Sequence, residues 1–234
     1  MNIKLFGLTE KELKEKTFNI FVGISLGNKH ISVSVAREYL KFAIKHSKRE
    51  VLVLIADKID SVNWEVFRGF SAEDADKKVI NKGNGLAEMF KNVLNKEAVK
   101  SGEDILNRVR IVKWEDIKDD VFINNREAVS EEYKNNENFR RRILYFVEEY
   151  AKIRNRTLNS REKDKLAGYI ISELPTLING VKYGGISYEL IFYPSYVSSG
   201  MSEFVLDIQR GEYPELSEKM IMNGMGKMVE CYIR

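Results

Sequence analysis

The chain has 234 residues, of which 44% are apolar, and its 38 lysines and arginines nearly balance its 35 aspartates and glutamates, for a net charge of +3. This composition is typical of one globular domain, and it excludes a disordered, collagen-like or coiled-coil chain. The longest wholly apolar run, residues 51–56, is far shorter than the roughly 20 residues of a membrane span. We therefore expect a single domain over residues 1–234, cytoplasmic and without a membrane anchor.

Few residues are suited to disulfide or metal chemistry. Cys231 is the only cysteine, which excludes a disulfide framework and a cysteine-based zinc site. His30 and His46 are the only histidines, which nearly excludes a multi-histidine metal site. We expect no metal cofactor.

The first part of the chain predicts a strand, a turn, a helix and a second strand. Residues 17–24 are apolar and rich in β-formers, and they lead into a glycine-flanked turn at 23–28. Apolar residues then recur at helical spacing over 35–43, with Ser32 or Ser34 as the expected cap. Residues 51–55 are apolar throughout, as in a strand that is covered on both faces of a parallel sheet.

The rest of the chain continues the alternation of strands and helices. Helices are predicted at about 60–70, 73–97, 126–156 and 160–178, the second of them interrupted at Gly83-Asn84-Gly85. Strands are predicted at 109–112, 186–193, 204–208 and 228–233. This order predicts an α/β fold with a doubly wound parallel sheet, in which ligands bind at the carboxyl ends of the strands.

Ser25 is the first candidate functional residue, because Gly23-x-Ser25-x-Gly27 matches the sharp turn that exposes a nucleophilic serine. A structural turn is the alternative. A hydrolase triad fails on order, since both histidines fall by position 46 and the base of such a triad comes late in the chain. The glycine spacing fits neither a dinucleotide fingerprint nor a phosphate-binding loop, so a nucleotide cofactor is not indicated.

Two further candidates lie later in the chain. Tyr169 and Glu173 are four residues apart and share one face of a predicted helix, where a phenol and a carboxylate can hold an amine or move a proton. An exposed helical pair is the alternative. Tyr193 ends a predicted strand just before Pro194, which interrupts sheet pairing; packing is the alternative there.

Two stretches are locally basic, and each is either a solvated helix face or a contact surface for phosphates. The first contains Lys77, Lys78, Lys82 and Lys91. The second runs from Arg140, Arg141 and Arg142 to Lys165 and includes Arg154.

The segments FVGISLGN (21–28), YIISELP (169–175) and FYP (192–194), in this order and at these separations, resemble the cyclodipeptide synthases. The resemblance spans about residues 20–195. It implies a Rossmann-like domain similar to the catalytic domain of class I tyrosyl- and tryptophanyl-tRNA synthetases. It also implies a reaction that joins two aminoacyl groups, taken from aminoacyl-tRNAs, into a 2,5-diketopiperazine. No ATP or metal is expected, because an aminoacyl-tRNA is already an activated ester.

The resemblance also implies roles for single residues. Ser25 matches the nucleophile that accepts the first aminoacyl group, and Gly23 matches the glycine that lines the pocket below it. Tyr169 and Glu173 match the pair that holds the amino group, with Glu173 also a candidate proton acceptor. Tyr193 matches a tyrosine proposed to relay a proton during cyclisation.

Other positions are expected to shape the pocket or bind the tRNA. Pro194 places the chain in the proline branch of the family, whereas Asn28 resembles an asparagine of the histidine branch. Phe21 and Ile191 are expected to border an apolar pocket for the first side chain. The tRNA-binding residues are expected to be Lys77, Lys78, Lys82 and Lys91, with Arg140, Arg141 and Arg142 sharing the task.

Two other functions remain open from the sequence. One is a serine esterase that uses the G-x-S-x-G turn, against which the missing late histidine argues. The other is a non-catalytic tRNA-binding module, in which the serine is only part of a turn.

Overall fold

The computed structural model describes residues 2–28, 30–101, 104–194, 200–220 and 227–232. The strands within these ranges are β1 (Asn2–Phe6), β2 (Ile20–Ser25), β3 (Val51–Ala56), β4 (Val109–Lys113), β5 (Val181–Tyr183), β6 (Ile186–Tyr188), β7 (Leu190–Pro194) and β8 (Lys227–Tyr232). The helices are α1 (Glu10–Lys14), α2 (Val33–His46), α3 (Ser61–Arg68), α4 (Ala72–Ser101), α5 (Asp120–Asn135), α6 (Glu137–Ile153), α7 (Ser160–Asn179), α8 (Met201–Gln209) and α9 (Pro214–Lys219). Short 3-10 turns lie at Lys58–Asp60, Ile105–Asn107 and Trp114–Ile117.

Six of these strands form one sheet in the order β1-β8-β7-β2-β3-β4. The strands from β8 to β4 are parallel, and β1 pairs with β8 in the antiparallel direction. The chain adds β3 and β4 on one side of β2 and later adds β7 and β8 on the other side. The order therefore reverses between β2 and β7, which is where sheets of this type bind ligands. The predicted doubly wound parallel sheet, flanked by helices, is confirmed.

Both faces of the sheet are covered by helices. On one face, Ile20, Val22 and Ile24 of β2 pack in a core with residues of α2 and α4. On the other face, Phe21 lies in a core with residues of α5 to α9. Because successive side chains of a strand point to opposite faces, Ser25 lies on the same face as Phe21. No helix among the described residues is both long and apolar enough to cross a membrane.

The glycines of α4 do not interrupt it, and the predicted break at Gly83-Asn84-Gly85 is wrong. The helix runs without a break from Ala72 to Ser101. A Cβ on Gly83 would lie 2.5 Å from the Cβ of Asp57, which follows β3. Glycine at position 83 therefore lets α4 pass very close to the carboxyl edge of the sheet.

Several element boundaries differ from the sequence-based expectation. The segment 204–208 is not a strand but lies in α8, where the buried residues Phe204, Val205 and Ile208 have helical spacing. The predicted strand 186–193 is divided into β6 and β7, and the predicted helix 126–156 is divided at Asn136, whose side chain caps α6. The predicted strand 228–233 corresponds to β8, with Ile233 outside the described residues.

The other predicted elements are present within a few residues, whereas four strands and helices were not predicted. Ser32 caps α2, its hydroxyl accepting a hydrogen bond from the Val35 N–H at 3.3 Å. The elements without a prediction are β1, α1, β5 and α9. Each is only three to six residues long, which gives a hydrophobic pattern little room to repeat.

Candidate active site

The carboxyl ends of β2 and β7 bring Ser25 and Tyr193 to the point where the strand order reverses. The two strands pair in parallel, with Phe21 opposite Ile191. Gly23 follows on the same face as Phe21, and a Cβ there would lie 3.6 Å from Cδ2 of Tyr193. The ring of Tyr193 therefore packs directly over the backbone of β2 at Gly23. The side chain of Pro194 lies outside the described part of the structure.

The turn after β2 holds the hydroxyl group of Ser25 in place. The Gly27 N–H donates to the Ser25 Oγ at 3.2 Å, and the Asn28 N–H donates to the Ser25 carbonyl oxygen at 3.2 Å. The side chain of Asn28 accepts a hydrogen bond from the His30 N–H at 3.0 Å, so it stabilises its own loop. Ser25 is half-buried at the end of its strand, as the glycine-flanked motif predicts.

Tyr169 and Glu173 face the same region from α7. Both are half-buried, and a hydrogen bond joins the Tyr169 side chain to the Glu173 carboxyl group. The pKa of Glu173 is raised to about 7, mainly by burial and then by the charge of Asp60, while the hydrogen bond with Tyr169 acts in the opposite direction. The pKa of Tyr169 is raised well above its usual value, mainly by burial and then by the charge of Glu173, with a smaller contribution from Tyr193. The structure thus brings these predicted residues within electrostatic reach of one another.

Asp60 belongs to this cluster, although the sequence analysis did not single it out. It lies in the 3-10 turn after β3 and is buried. Its carboxyl oxygens accept hydrogen bonds from Asn63 Nδ2 at 2.6 Å and from Trp64 Nε1 at 3.0 Å. Burial is the main reason that its pKa is raised. An acidic residue just after a fully buried parallel strand was the signal that could have revealed it.

Tyr150 and Arg154 on and just after α6 complete the polar group around Ser25. The Arg154 Nη2 donates to the Tyr150 Oη at 2.6 Å, and the guanidinium carbon lies 3.5 Å from the centre of the Tyr150 ring. The pKa of Tyr150 is raised to about 12, mainly by burial; the charge of Arg154 opposes this rise, whereas the charges of Asp60 and Glu173 add to it. The four-residue spacing of this pair was a signal in the sequence, but Arg154 was read only as part of a basic stretch.

The four predicted tRNA-binding lysines of α4 have two different environments. Three are exposed: Lys77 pairs with Glu73 at 2.6 Å, Lys91 pairs with Glu88 at 2.8 Å, and Lys78 lies 4.8 Å from the Phe70 ring centre. Lys82 is half-buried, and its Nζ donates to the carbonyl oxygen of Leu26 at 2.6 Å. Lys82 therefore contacts the turn that follows Ser25, unlike the other three predicted tRNA-binding lysines.

The arginines of α6 lie on the opposite side of the sheet from α4, because α6 packs in the core that contains Phe21. Arg140 pairs with Glu137, and Arg141 donates to the side chain of Asn138. Arg142 stacks over Phe146, with its guanidinium carbon 5.1 Å from the ring centre. The two predicted basic sets therefore do not form one continuous face.

These groups can support acyl transfer to a hydroxyl. Ser25 offers an oxygen nucleophile at the edge of the sheet, and Glu173 has a pKa close to neutrality, which suits both binding of an amine and transfer of its proton. Phe21 and Ile191 are buried on the face that carries Gly23 and Tyr193, and they give this side of the region an apolar wall.

A sequence model of the cyclodipeptide synthase family matches residues 4–206. No curated protein matches the chain significantly. Solved structures that match include a cyclodipeptide synthase from Bacillus thermoamylovorans, which is 20% identical with a TM-score of 0.73 over 100% of this chain and 96% of that chain. A Mycobacterium tuberculosis cyclodipeptide synthetase, described as related to type I tRNA synthetases, is 15% identical with a TM-score of 0.66 over 97% and 90% of the two chains.

A third match is a cyclodipeptide synthase from Candidatus Glomeribacter gigasporarum bound to Phe-tRNAPhe. It is 18% identical with a TM-score of 0.59 over 97% of this chain and 94% of that chain. At these identities the structural matches establish a shared fold, and the family model covers most of the sequence. Because the family model matches residues 4–206, this chain belongs to the cyclodipeptide synthase family.

Proposed function

We propose that this protein takes aminoacyl groups from two aminoacyl-tRNAs and releases them as a cyclic dipeptide. The observation that carries the proposal is the position of Ser25. Ser25 ends β2 at the switch point of the sheet, two residues after the contact of Gly23 with Tyr193, on the face from which Tyr169 and Glu173 approach.

The first step is attack of the Ser25 Oγ on the ester carbonyl of an aminoacyl-tRNA. The bond from the carbonyl carbon to the ribose oxygen breaks, and this oxygen takes the proton that leaves Ser25. One ester replaces another, so the step costs little free energy and needs neither ATP nor a metal. This covalent intermediate divides the overall reaction into easier steps.

The next steps form the two peptide bonds. The amino group of the aminoacyl-Ser25 ester attacks the ester carbonyl of a second aminoacyl-tRNA, and the bond from that carbonyl carbon to the ribose oxygen breaks. The tRNA leaves with a proton from the attacking amine on its ribose oxygen, and a dipeptidyl ester remains on Ser25. The free amino group of this dipeptide then attacks the Ser25 ester, which closes the ring and releases the serine. Glu173 and Tyr169 hold the amino group of the first residue, and Glu173 accepts its proton. Tyr193 relays a proton back to the leaving Ser25 oxygen.

The neutral-range pKa of Glu173 supports this role. A carboxyl group with a pKa of about 7 is ionised once a substrate ammonium group is bound beside it, and it is also basic enough to take a proton from that group.

The partners of this reaction are two aminoacyl-tRNAs. The exposed lysines Lys77, Lys78 and Lys91 give α4 a row of cations for the phosphates of the acceptor stem. The apolar wall of Phe21 and Ile191 favours an apolar first side chain. The pair Tyr193-Pro194 supports membership of the proline branch of the family, whereas Asn28 resembles the histidine branch.

The test is incubation with aminoacyl-tRNA, followed by mass spectrometry of the intact protein and of the small-molecule products. We expect an aminoacyl adduct on Ser25 and a cyclic dipeptide in solution, and neither of them with Ser25→Ala. Cyclic dipeptide formation by Ser25→Ala would contradict the covalent route. Release of free amino acid alone would indicate an esterase, and a stable tRNA complex without adduct would indicate a binding module.

A further inference from the structure

Three polar groups surround the backbone at Gly27, one from the same turn and two from the end of α6. A Cβ on this glycine would lie 3.5 Å from the Ser25 Oγ, 3.8 Å from the Arg154 Nη2 and 3.8 Å from the Tyr150 Oη. The Tyr150 hydroxyl, the Arg154 guanidinium and the Ser25 hydroxyl therefore all lie within 4 Å of the position that a Gly27 side chain would occupy. Glycine keeps that volume accessible, because any other residue would place a carbon atom in it.

The hydrogen bond between Arg154 and Tyr150 fixes which protons are available in this volume. The Tyr150 Oη accepts from the Arg154 Nη2 at 2.6 Å, so its own hydroxyl proton is directed to another acceptor. Its pKa of about 12 keeps this proton in place at neutral pH. The guanidinium stacks on the Tyr150 ring, which holds both groups in one orientation.

We infer that Tyr150 and Arg154 stabilise the oxyanion that forms when Ser25 attacks an aminoacyl ester. The inference rests on the proposed function. As the bond from the Ser25 Oγ to the carbonyl carbon forms, the carbonyl electron pair moves onto oxygen, and the two donors hold that negative charge. The electron pair returns to the carbonyl bond when the bond to the ribose oxygen breaks, and the ribose oxygen leaves with the serine proton. Oxyanion donors act from about 2.7–3.1 Å, a range that the groups around Gly27 can reach.

The first test compares two variants with matched controls. Tyr150→Phe and Arg154→Met each remove one donor. Tyr145→Phe alters an exposed tyrosine on the same helix, and Arg156→Met alters an arginine that pairs with Glu162 at 3.3 Å. The readout is the single-turnover rate of Ser25 acylation at saturating aminoacyl-tRNA. Loss of one oxyanion donor costs about 10²–10³-fold in rate, so we expect that loss in the first two variants and little change in the controls.

The second test uses Gly27→Ala. The new methyl group makes ordinary van der Waals contacts at 3.5–3.8 Å, so the thermal unfolding temperature should not change. Acylation should nevertheless fall at least tenfold, because the methyl group occupies the position that the carbonyl oxygen needs.

The outcomes separate this inference from the proposed function. If the wild-type protein forms no Ser25 adduct, both fail. If the wild type is acylated and Tyr150→Phe and Arg154→Met are acylated at the same rate, only the oxyanion role is wrong. It is equally wrong if Arg154→Met weakens tRNA binding and its salt dependence but leaves the saturated rate unchanged, because Arg154 then contacts a phosphate.

Discussion

Glu173 and Asp60 place two carboxyl groups near each other, and the pKa of each is raised mainly by burial. Their negative charges also disfavour each other, since Asp60 is the second cause of the raised pKa of Glu173. Under the proposed function, a substrate ammonium group bound beside Glu173 would compensate this repulsion. The unliganded protein therefore carries an electrostatic penalty at Glu173 that such a substrate would relieve.

The raised pKa of Glu173 should make the free energy of unfolding depend on pH. The folded-state pKa of Glu173 is raised from 4.5 to about 7, so its ionisation opposes folding. No penalty exists below pH 4.5, where the carboxyl is protonated in both states. The penalty grows as the pH rises to 7 and is then constant at roughly 3 kcal/mol.

Glu173→Gln removes this penalty and retains an oxygen that accepts from Tyr169. We expect urea unfolding at pH 8 to show the variant as more stable than the wild type, and the difference to vanish near pH 4. The variant should lose most of its cyclic dipeptide formation, and Tyr169→Phe should lose activity too, because each leaves the amino group with a poorer partner. A stability difference that does not vary with pH would contradict the raised pKa.

At the scale of elements, α4 depends on one glycine for its position. The methyl group of Gly83→Ala would meet the Cβ of Asp57, an atom next to the backbone, so the helix has to move away. Overpacking of this kind costs about 1–3 kcal/mol. Gly85→Ala on the same helix is the control, because nothing lies within 4 Å of its Cβ.

We expect the two alanine variants to change the free energy of unfolding in opposite directions. Gly85→Ala should gain about 0.5–1 kcal/mol, as alanine is the better helix former. Chemical denaturation of both variants measures the difference. Equal effects of the two substitutions would show that α4 does not need its close approach to Asp57.

The same helix shows why local patterns predicted some elements and not others. Gly83-Asn84-Gly85 suggested a break, because glycine is a poor helix former. The reason for Gly83, its close approach to Asp57, cannot be seen in the sequence. In α8 the β-formers Phe204, Val205 and Ile208 suggested a strand, but burial follows their helical spacing. In contrast, β2, β3 and α7 were predictable, since their patterns extend over six residues or more.

At the scale of the whole molecule, the sheet separates the two basic sets. Lys77, Lys78 and Lys91 lie on α4, and Arg140 and Arg141 lie on α6 on the other face. Each cation that contacts a phosphate releases counterions, so the slope of log affinity against log salt concentration counts such contacts.

Changing Lys77, Lys78 and Lys91 together to alanine should lower the salt slope of aminoacyl-tRNA binding by roughly two to three units. Acylation of Ser25 at saturating tRNA should continue, because these lysines take no part in the ester exchange. Arg140→Ala with Arg141→Ala is the control, and its slope should match the wild type. If only this second variant lowers the slope, the tRNA lies across the α6 face.

The residues of the candidate site that lie in sequence motifs were predictable, whereas those brought together only by the fold were not. Ser25, Tyr169, Glu173 and Tyr193 occur in short motifs that the sequence displays directly. Tyr150 interacts with Arg154, with Asp60 after β3 and with Glu173 on α7. No local pattern in the sequence shows that these three distant parts of the chain meet. Their grouping depends on how α6 packs across the end of the sheet.

The hydrogen bond from Lys82 to the Leu26 carbonyl has a consequence for enzyme engineering. Position 82 supports the nucleophile turn, and the adjacent position 83 sets the distance to Asp57. A chimera that takes α4 from another synthase, in order to change its tRNA preference, therefore has to retain lysine and glycine at these two positions. A donor helix without this dipeptide would shift Ser25 and, under the proposed function, the bound tRNA as well.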